Sequence, residues 1–326
     1  MRALVTGAAG FIGSHVVAAL AAAGAEVRAF DRTPLAAPID GVEPVLGDVL
    51  DGDAVRRALD GCDAVFHLAA VYSFARADAA LMEAVNVRGT RAVLDAALRG
   101  PRRRIVHTSS CATCGPVRGR PANEGDTPPD WELRVPYKRT KLAGERLALA
   151  AAAQGADVVV VNPTTPVGPG DRRPTPTGKM VADVANGRAR GYLAGGWLNI
   201  VGVQDVAAGH LRAFEHGRSG RRYLLGGENV PMREVFAAVA TAAGRRPPTL
   251  AIPWAAAYAA ARVTDAAMRP LGREAKLLSL DEVRLGRLPM TFDDTLARSE
   301  LGHRSIPAAQ ALAAATRAAL EAERAR

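Results

Sequence analysis

Three features of this 326-residue sequence predict a doubly wound α/β fold, a parallel sheet covered on both faces by helices. Short β-rich runs alternate with helical segments through the first half of the chain. Several of the runs are apolar throughout, as strands buried on both faces must be, and the first strand leads into its helix through a glycine-spaced turn. The runs occupy 2–7 (RALVTG), 26–31 (EVRAFD), 42–48 (VEPVLGD), 63–70 (DAVFHLAA), 103–110 (RRIVHTSS) and 156–163 (ADVVVVNP). Helical segments are expected between them near 11–23, 51–60, 78–99 and 136–154. After Pro163 the texture changes to a Pro/Gly/Thr-rich stretch, and helices expected near 231–243, 253–268 and 306–324 have no regular strand partners. The expected organisation is a main domain over 1–167, with 198–216 returning to its sheet as strand plus helix. A smaller C-terminal lobe takes 168–197 and 217–326 and would carry the substrate site.

Composition narrows the function. A hydrophobic content of 48% suffices for a buried core. The chain starts directly on a strand-like run, so no secretory signal is expected, and charge or glycine interrupts every alanine-rich stretch before the roughly 18 apolar residues that a membrane span needs. Cys62, Cys111 and Cys114 are too few for a disulfide framework and fit a reducing compartment. A cytoplasmic location is expected. The C-x-x-C at 111–114 follows a strand and "TSS", which suits the lining of a site better than a redox pair. The net charge of +9 raises nucleic acid as a partner, yet the arginines form short scattered clusters at 102–104, 172, 221 and 245 without interleaved aromatics. They read as solvated surface, and no nucleic-acid partner is expected. No second His, Cys or carboxylate lies at metal spacing from His67 or His107, so both read as core histidines and no metal is expected.

The first turn, VTGAAGFIGSH, places glycines at Gly7, Gly10 and Gly13 and opens a helix at Phe11 and Ile12. Such glycines permit the tight turn, the close approach of a pyrophosphate and the packing of helix on strand, while the helix N-terminus offers free N–H groups to phosphate. Asp31 ends the second strand where an acid accepts hydrogen bonds from the adenosine ribose, which favours NAD. Arg32 follows it and leaves NADP admissible. The fold class is therefore a Rossmann-type doubly wound parallel sheet.

Only four of the 42 basic residues are lysines, and Lys141 lies four residues after Tyr137. At this composition chance gives about 0.06 such pairs. Four residues on a helix put both side chains on one face. An ammonium about 4 Å from a phenol, at an effective dielectric near 20, stabilises the phenolate by up to about 4 kcal/mol and would draw its pKa down towards neutrality. A compact ammonium suits this better than a forked guanidinium.

Together the segments TGAAGFIG, GDVLD (47–51), DAVFHLAA, NVRGT (86–90), HTSS and YKRTK resemble, in order and spacing, the extended short-chain dehydrogenase/reductases of the epimerase/dehydratase group. A closer similarity is to the hopanoid-associated sugar epimerases, which the stretches 162–187 and 226–236 resemble, and to the neighbouring dihydroflavonol reductases. The resemblance implies that Tyr137 exchanges a proton with a substrate hydroxyl or ketone, that Ser110 hydrogen-bonds the same oxygen, and that Asn86 orders a water near Lys141. Ser109 is the alternative to Ser110, and a strand-end serine can also be a plain cap. The resemblance further implies that Asp48 and Val49 border the adenine, that Leu68, Ala69, Ala70 and Thr108 line the cofactor, and that Pro163, Thr164, Thr165 and Val167 pass beside the nicotinamide. Tyr72, Ser73, Cys111, Thr113 and Asn199 are candidate substrate residues. The implied activity is hydride transfer at a secondary alcohol or ketone of a sugar-like or polyol substrate, in a homodimer, with the hydride used twice per turnover in the case of an epimerase. A one-way ketone reductase and a non-catalytic nucleotide sensor are the alternatives. In one place the chain departs from the nucleotide-sugar epimerases: where they read like R-D-Y-I-H-V before a late V-x-D, this chain has LNIVGVQD, with Leu198 at the arginine and Gly202 at the histidine.

Overall fold

The computed structural model describes residues 1–268 and 280–325. Strand and helix alternate through β1 (Arg2–Thr6), α1 (Phe11–Ala22), β2 (Glu26–Asp31), β3 (Val42–Leu46), α2 (Gly52–Leu59), β4 (Ala64–His67), α3 (Ala79–Glu83), a π-helical turn (Ala84–Gly89), α4 (Thr90–Leu98), β5 (Arg104–Thr108), α5 (Pro136–Ala153) and β6 (Val158–Pro163). There follow β7 (Thr165–Val167), α6 (Pro176–Ala185), β8 (Gly191–Leu193), β9 (Trp197–Gly202), α7 (Val203–His216) and β10 (Arg222–Leu225). The chain then forms β11 (Glu228–Pro231), α8 (Met232–Ala242), β12 (Leu250–Ile252), α9 (Trp254–Met268), α10 (Leu280–Leu285), α11 (Thr295–Leu301) and α12 (Ala308–Arg324).

The central sheet has the order β10-β6-β5-β4-β1-β2-β3, with every pair parallel. Valine-rich strands make this possible because each feeds two cores at once. In β6, Val159 and Val161 pack with α1 and α7 residues such as Val16 and Val206, while Val158 and Val160 pack with Val93 of α4 and Ala148 of α5. The strand order reverses between β1 and β4, and the crevice beyond their carboxyl ends is where an open α/β sheet binds its ligands.

Two expectations for the second half need correcting. Strand β9 does not return to the central sheet: it pairs parallel with β7 and antiparallel with β11 in a separate three-stranded sheet. Only α7 returns, to lie on α1. The seventh strand is instead β10, from the stretch assigned to the lobe, which adds to the free edge of β6 and buries Tyr223, Leu224 and Leu225 completely. A third core, from β7 and β9 with α6, α8 and α12, includes Val184, Ile200, Phe236 and Leu312.

Helix α5 carries the tyrosine and lysine, and its position rests on a glycine. It opens with Pro136 at the first helical position, where a missing N–H costs nothing. Two turns on, Gly144 faces the π-helical turn so closely that an added Cβ would sit 2.5 Å from the Asn86 carbonyl oxygen. Gly144→Ala should therefore push the helices apart and destabilise the protein by about 1–3 kcal/mol. Chemical denaturation checks this, and an unchanged midpoint would mean that α5 is free to move away.

Candidate active site

The glycine turn has the geometry that its spacing demands. Gly7 adopts φ +71°, a region open to glycine, and a Cβ there would meet the Ala69 nitrogen at 2.6 Å. The turn thus lies directly against Leu68, Ala69 and Ala70 at the end of β4. A Cβ on Gly13 would stand 2.0 Å from the Gly7 carbonyl oxygen, and one on Gly10 would stand 3.0 Å from it, so α1 leaves the turn at a distance only glycine allows. The Asp31 carboxylate accepts from the Ala9 amide at 3.0 Å, and from the Thr33 amide at 3.0 Å and hydroxyl at 3.1 Å. This holds it beside the turn at the end of β2. Arg32 is drawn aside towards Asp48, 3.9 Å away, whose other oxygen accepts the Leu50 amide. Val49 is buried against Gly89. Phe11 and Ile12 open α1, and Phe11 sets its ring against the edge of His15, which bonds the Pro169 carbonyl at 2.9 Å. Thr164, Thr165 and Val167 are buried on the path from Pro163 into the second sheet. A cradle that side chains would fill, at the N-terminus of a helix and beside a positioned carboxylate, fits a dinucleotide.

At the other side of the crevice, Tyr137 and Lys141 do share one face of α5. Tyr137 is half-buried, with its ring 4.3 Å from that of Tyr72 at 36° and the ring of Phe74 edge-on at 6.3 Å. Tyr72 itself is 39% exposed, so this aromatic cluster forms a surface of the crevice. The Ser110 hydroxyl lies close enough to the Tyr137 phenol to favour its ionised form. It also accepts the Ala112 amide at 3.2 Å, so Ser110 is both a neighbour of the tyrosine and the cap of the short turn Cys111–Thr113. Ser109 is buried and its hydroxyl has no protein partner. Lys141 donates to the Thr108 carbonyl at 2.8 Å, while the Thr108 hydroxyl pairs with His210 of α7 at 2.9 Å.

The electrostatics differ from the sequence expectation. Burial pushes the Tyr137 phenol well above its ordinary value, with the Ser110 hydroxyl opposing, so the phenol is not drawn towards neutrality. Burial also pushes the Lys141 ammonium down to about 8, against the pull of Glu145. Removal from water dominates at both groups, Lys141 being buried and Tyr137 half-buried against the rings of Tyr72 and Phe74.

Several candidates have other roles. Thr113 is completely buried, and its hydroxyl donates to Glu145 at 2.7 Å, so it does not face the crevice. Asn199 is also completely buried and ties β9 to β11: its side chain accepts the Gly227 amide at 2.9 Å and donates to Asn229 at 2.8 Å. Both were expected in the substrate pocket, and their polar ends are satisfied inside instead. The Ser73 hydroxyl accepts the Ala75 amide. The Asn86 side chain joins Val71, through bonds of 2.8 and 3.1 Å, to Thr140 at 3.1 Å, which fixes the loop after β4 against α5. Cys111 and Cys114 are free thiols in a small apolar cluster, and burial pushes Cys111 up to about 12, the opposite of what a reactive pair needs. His67 bridges Thr6 and Thr90 at 2.7 and 3.0 Å and is pushed down to about 3 by burial, as a core histidine should be. His107 is equally buried beside it. Among the described residues no group of three or more metal-binding side chains occurs.

Sequence reasoning missed the charges beneath the site. Lys138 pairs with Glu132 in the interior and donates to the Gly115 carbonyl at 2.7 Å. Arg222, read as solvated surface, is buried in an ion pair with Glu145 at 2.9 Å. The available signal was spacing: Tyr137, Lys141 and Glu145 follow one another every fourth residue.

Residues 3–226 match the family model described as the NAD dependent epimerase/dehydratase family. A protein of Synechocystis sp. named for dihydroflavonol 4-reductase is 37% identical over 95% of this chain and 92% of its own. Sterol demethylase protein B of Methylococcus capsulatus is 36% identical over 93% of each. The solved structure of MoeE5 in complex with UDP-glucose and NAD superposes with a TM-score of 0.77 at 28% identity, covering 99% of this chain and all of the other. No helix among the described residues is long and apolar enough to cross a membrane.

The turn's geometry yields a direct test. Gly13→Ala should weaken NADH binding by about tenfold or more, because the helix must move off the turn that presents its N–H groups. Fluorescence titration of the variant reads this out, and wild-type affinity would place the pyrophosphate elsewhere.

Proposed function

The chain belongs to the NAD-dependent epimerase/dehydratase family and is an NAD-dependent oxidoreductase, and from that premise we propose that it transfers hydride at a secondary alcohol or ketone through Ser110, Tyr137 and Lys141. The observation that carries this reading is the convergence of the three at the end of β5: the Ser110 hydroxyl beside the Tyr137 phenol, and Lys141 bonded to the Thr108 carbonyl. The Gly7–Gly13 turn and Asp31 would hold the cofactor. Bound NADH supplies a hydride to a ketone carbon, and NAD accepts one from a secondary alcohol.

The protein's own part is proton transfer and placement. A phenol kept protonated by burial is a proton donor at neutral pH, and Tyr137 gives its proton to the oxygen of the carbonyl under reduction while Ser110 holds that oxygen. Lys141, charged below about pH 8, supplies positive potential as the phenolate forms. A protonated phenol is the form that reduction of a ketone consumes. Oxidation would need the same phenol deprotonated first.

The substrate lacks a nucleoside diphosphate in this reading. Leu198 packs into the apolar core of β7, β9, α6, α8 and α12, so the position that carries an arginine in nucleotide-sugar epimerases offers no charge for a pyrophosphate. Tyr72 and Phe74 instead give the crevice an aromatic wall beside Tyr137. Two relatives are named for a dihydroflavonol and a sterol, compounds with apolar ring systems, whereas MoeE5 was solved with UDP-glucose. A cytoplasmic homodimer acting on a small apolar ketone completes the proposal.

Two measurements test it. With NADH and a panel of cyclic and aryl ketones, Tyr137→Phe should lower turnover by a factor of about 100 to 10,000 while NADH affinity stays within about twofold. Normal turnover in that variant contradicts the mechanism. Calorimetry with UDP and UDP-glucose on the NAD-loaded enzyme should show no micromolar binding, and micromolar affinity for either would restore a nucleotide-sugar substrate.

A further inference from the structure

Beneath the reacting groups lies a closed polar network that the proposed reaction does not yet use. Glu145, two turns after Tyr137 on α5, is 1% exposed, and Thr113 and Asn162 are completely buried. One Glu145 oxygen accepts the Thr113 hydroxyl at 2.7 Å and the Asn162 amide at 2.6 Å. Both groups also reach the Ser110 carbonyl oxygen: the Thr113 hydroxyl, 2.8 Å away, has one proton to share between it and Glu145, whereas the Asn162 amide, 3.1 Å away, has two N–H groups and can serve both. The other Glu145 oxygen takes the Arg222 guanidinium at 2.9 Å. Arg222 stands at the start of β10 and also holds the carbonyls of Glu124 and Asp126.

We propose that Glu145 is a positioning residue for the reaction: through Thr113 and Asn162 it fixes the backbone that aims the Ser110 hydroxyl, and from one helical turn after Lys141, on the same face of α5, its carboxylate favours the ammonium. This rests on the reading of Ser110, Tyr137 and Lys141 as the reacting set. The geometry assigns both functions to one carboxylate. The groups that fill the second Glu145 oxygen, Thr113 and Asn162, are the same two that reach the Ser110 carbonyl. The charged and titratable groups facing Lys141 are few. From its own helix comes Glu145, and from β4 and β5 come His67 and His107, both held neutral by burial. With the Thr108 carbonyl as the ammonium's hydrogen-bond acceptor, Glu145 is, among the described residues, the one charged group acting on Lys141 that favours its charged form.

The scarcity of lysine makes this measurable without any substrate. With four lysines in the chain, selective ¹³C/¹⁵N-lysine labelling gives a spectrum in which Lys141 is assigned by a Lys141→Arg control. Glu145→Gln keeps the shape and an accepting oxygen but removes the charge, and should lower the Lys141 titration midpoint by about one unit. Amide exchange at residues 111–114 should change little in that variant. Thr113→Val leaves the charge and removes one of the two links to Ser110 together with the hydroxyl's own bond to the Ser110 carbonyl, so it should raise exchange at 111–114 by about tenfold and leave the Lys141 midpoint in place. A merely structural carboxylate would not separate the two effects.

An unmoved Lys141 midpoint in Glu145→Gln, or unchanged exchange in Thr113→Val, overturns the proposal. If Glu145→Gln does not fold, Thr113→Val is decisive by itself: protected amides at 111–114 refute the positioning role. Neither readout depends on turnover, so failure of the Tyr137→Phe test with these results intact would indict the assigned reaction and leave the network's action on Lys141 and Ser110 standing.

Discussion

Helix α5 lies against the Asn86 carbonyl because residue 144 has no side chain, and the placement of every candidate reacting group depends on that approach. One turn before the contact, Lys141 reaches the end of β5, and two turns before it Tyr137 meets Ser110 and the aromatic pair Tyr72 and Phe74. The π-helical turn on the opposite side answers with Asn86, whose side chain binds the loop after β4 and Thr140 of α5 together. A site held by a helix packed in this way is preorganised by its scaffold rather than by its ligand.

Burying charge under such a site is costly unless each charge is paired and its remaining hydrogen bonds are filled. The two interior pairs meet that condition to different degrees. Glu145 has both oxygens occupied, by Arg222 on one side and by Thr113 and Asn162 on the other. Glu132 pairs with Lys138 through one oxygen, while the other has no protein partner. The Glu145 pair also explains why β10 belongs to the central sheet. Its first residue delivers the guanidinium that neutralises a carboxylate on α5, and its next three fill the sheet's last edge.

The sequence showed best those features in which geometry allows one residue type. Gly7 at positive φ, Gly13 in contact with the Gly7 carbonyl, and the four-residue step from Tyr137 to Lys141 are of this kind, and so is the strand that ends in Asp31. Thr113 and Asn199 were misplaced because a short polar residue near a pocket can face either way, and only tertiary packing decides that their polar ends point inward. Arg222 looked like surface because a doubled arginine in an arginine-rich chain carries no sign of its partner 77 residues away. Strands β9 and β10 exchanged sheets for a related reason: four residues, RYLL, are too few for periodicity to reveal which edge they join. The balance at Tyr137 was also out of reach, since spacing shows that a charge is near but not how much water the fold removes.

The account's central claim is that α5 and the end of β5 hold Ser110, Tyr137 and Lys141 in place independently of the cofactor. The most direct measurement is a crystal structure of the NADH complex set against this one. Residues 108–114 and 136–145 should superpose within about 0.5 Å, with the Tyr137 phenol still beside the Ser110 hydroxyl. A shift of α5 along its axis, or a Tyr137 that reaches Ser110 only when NADH is bound, would contradict it.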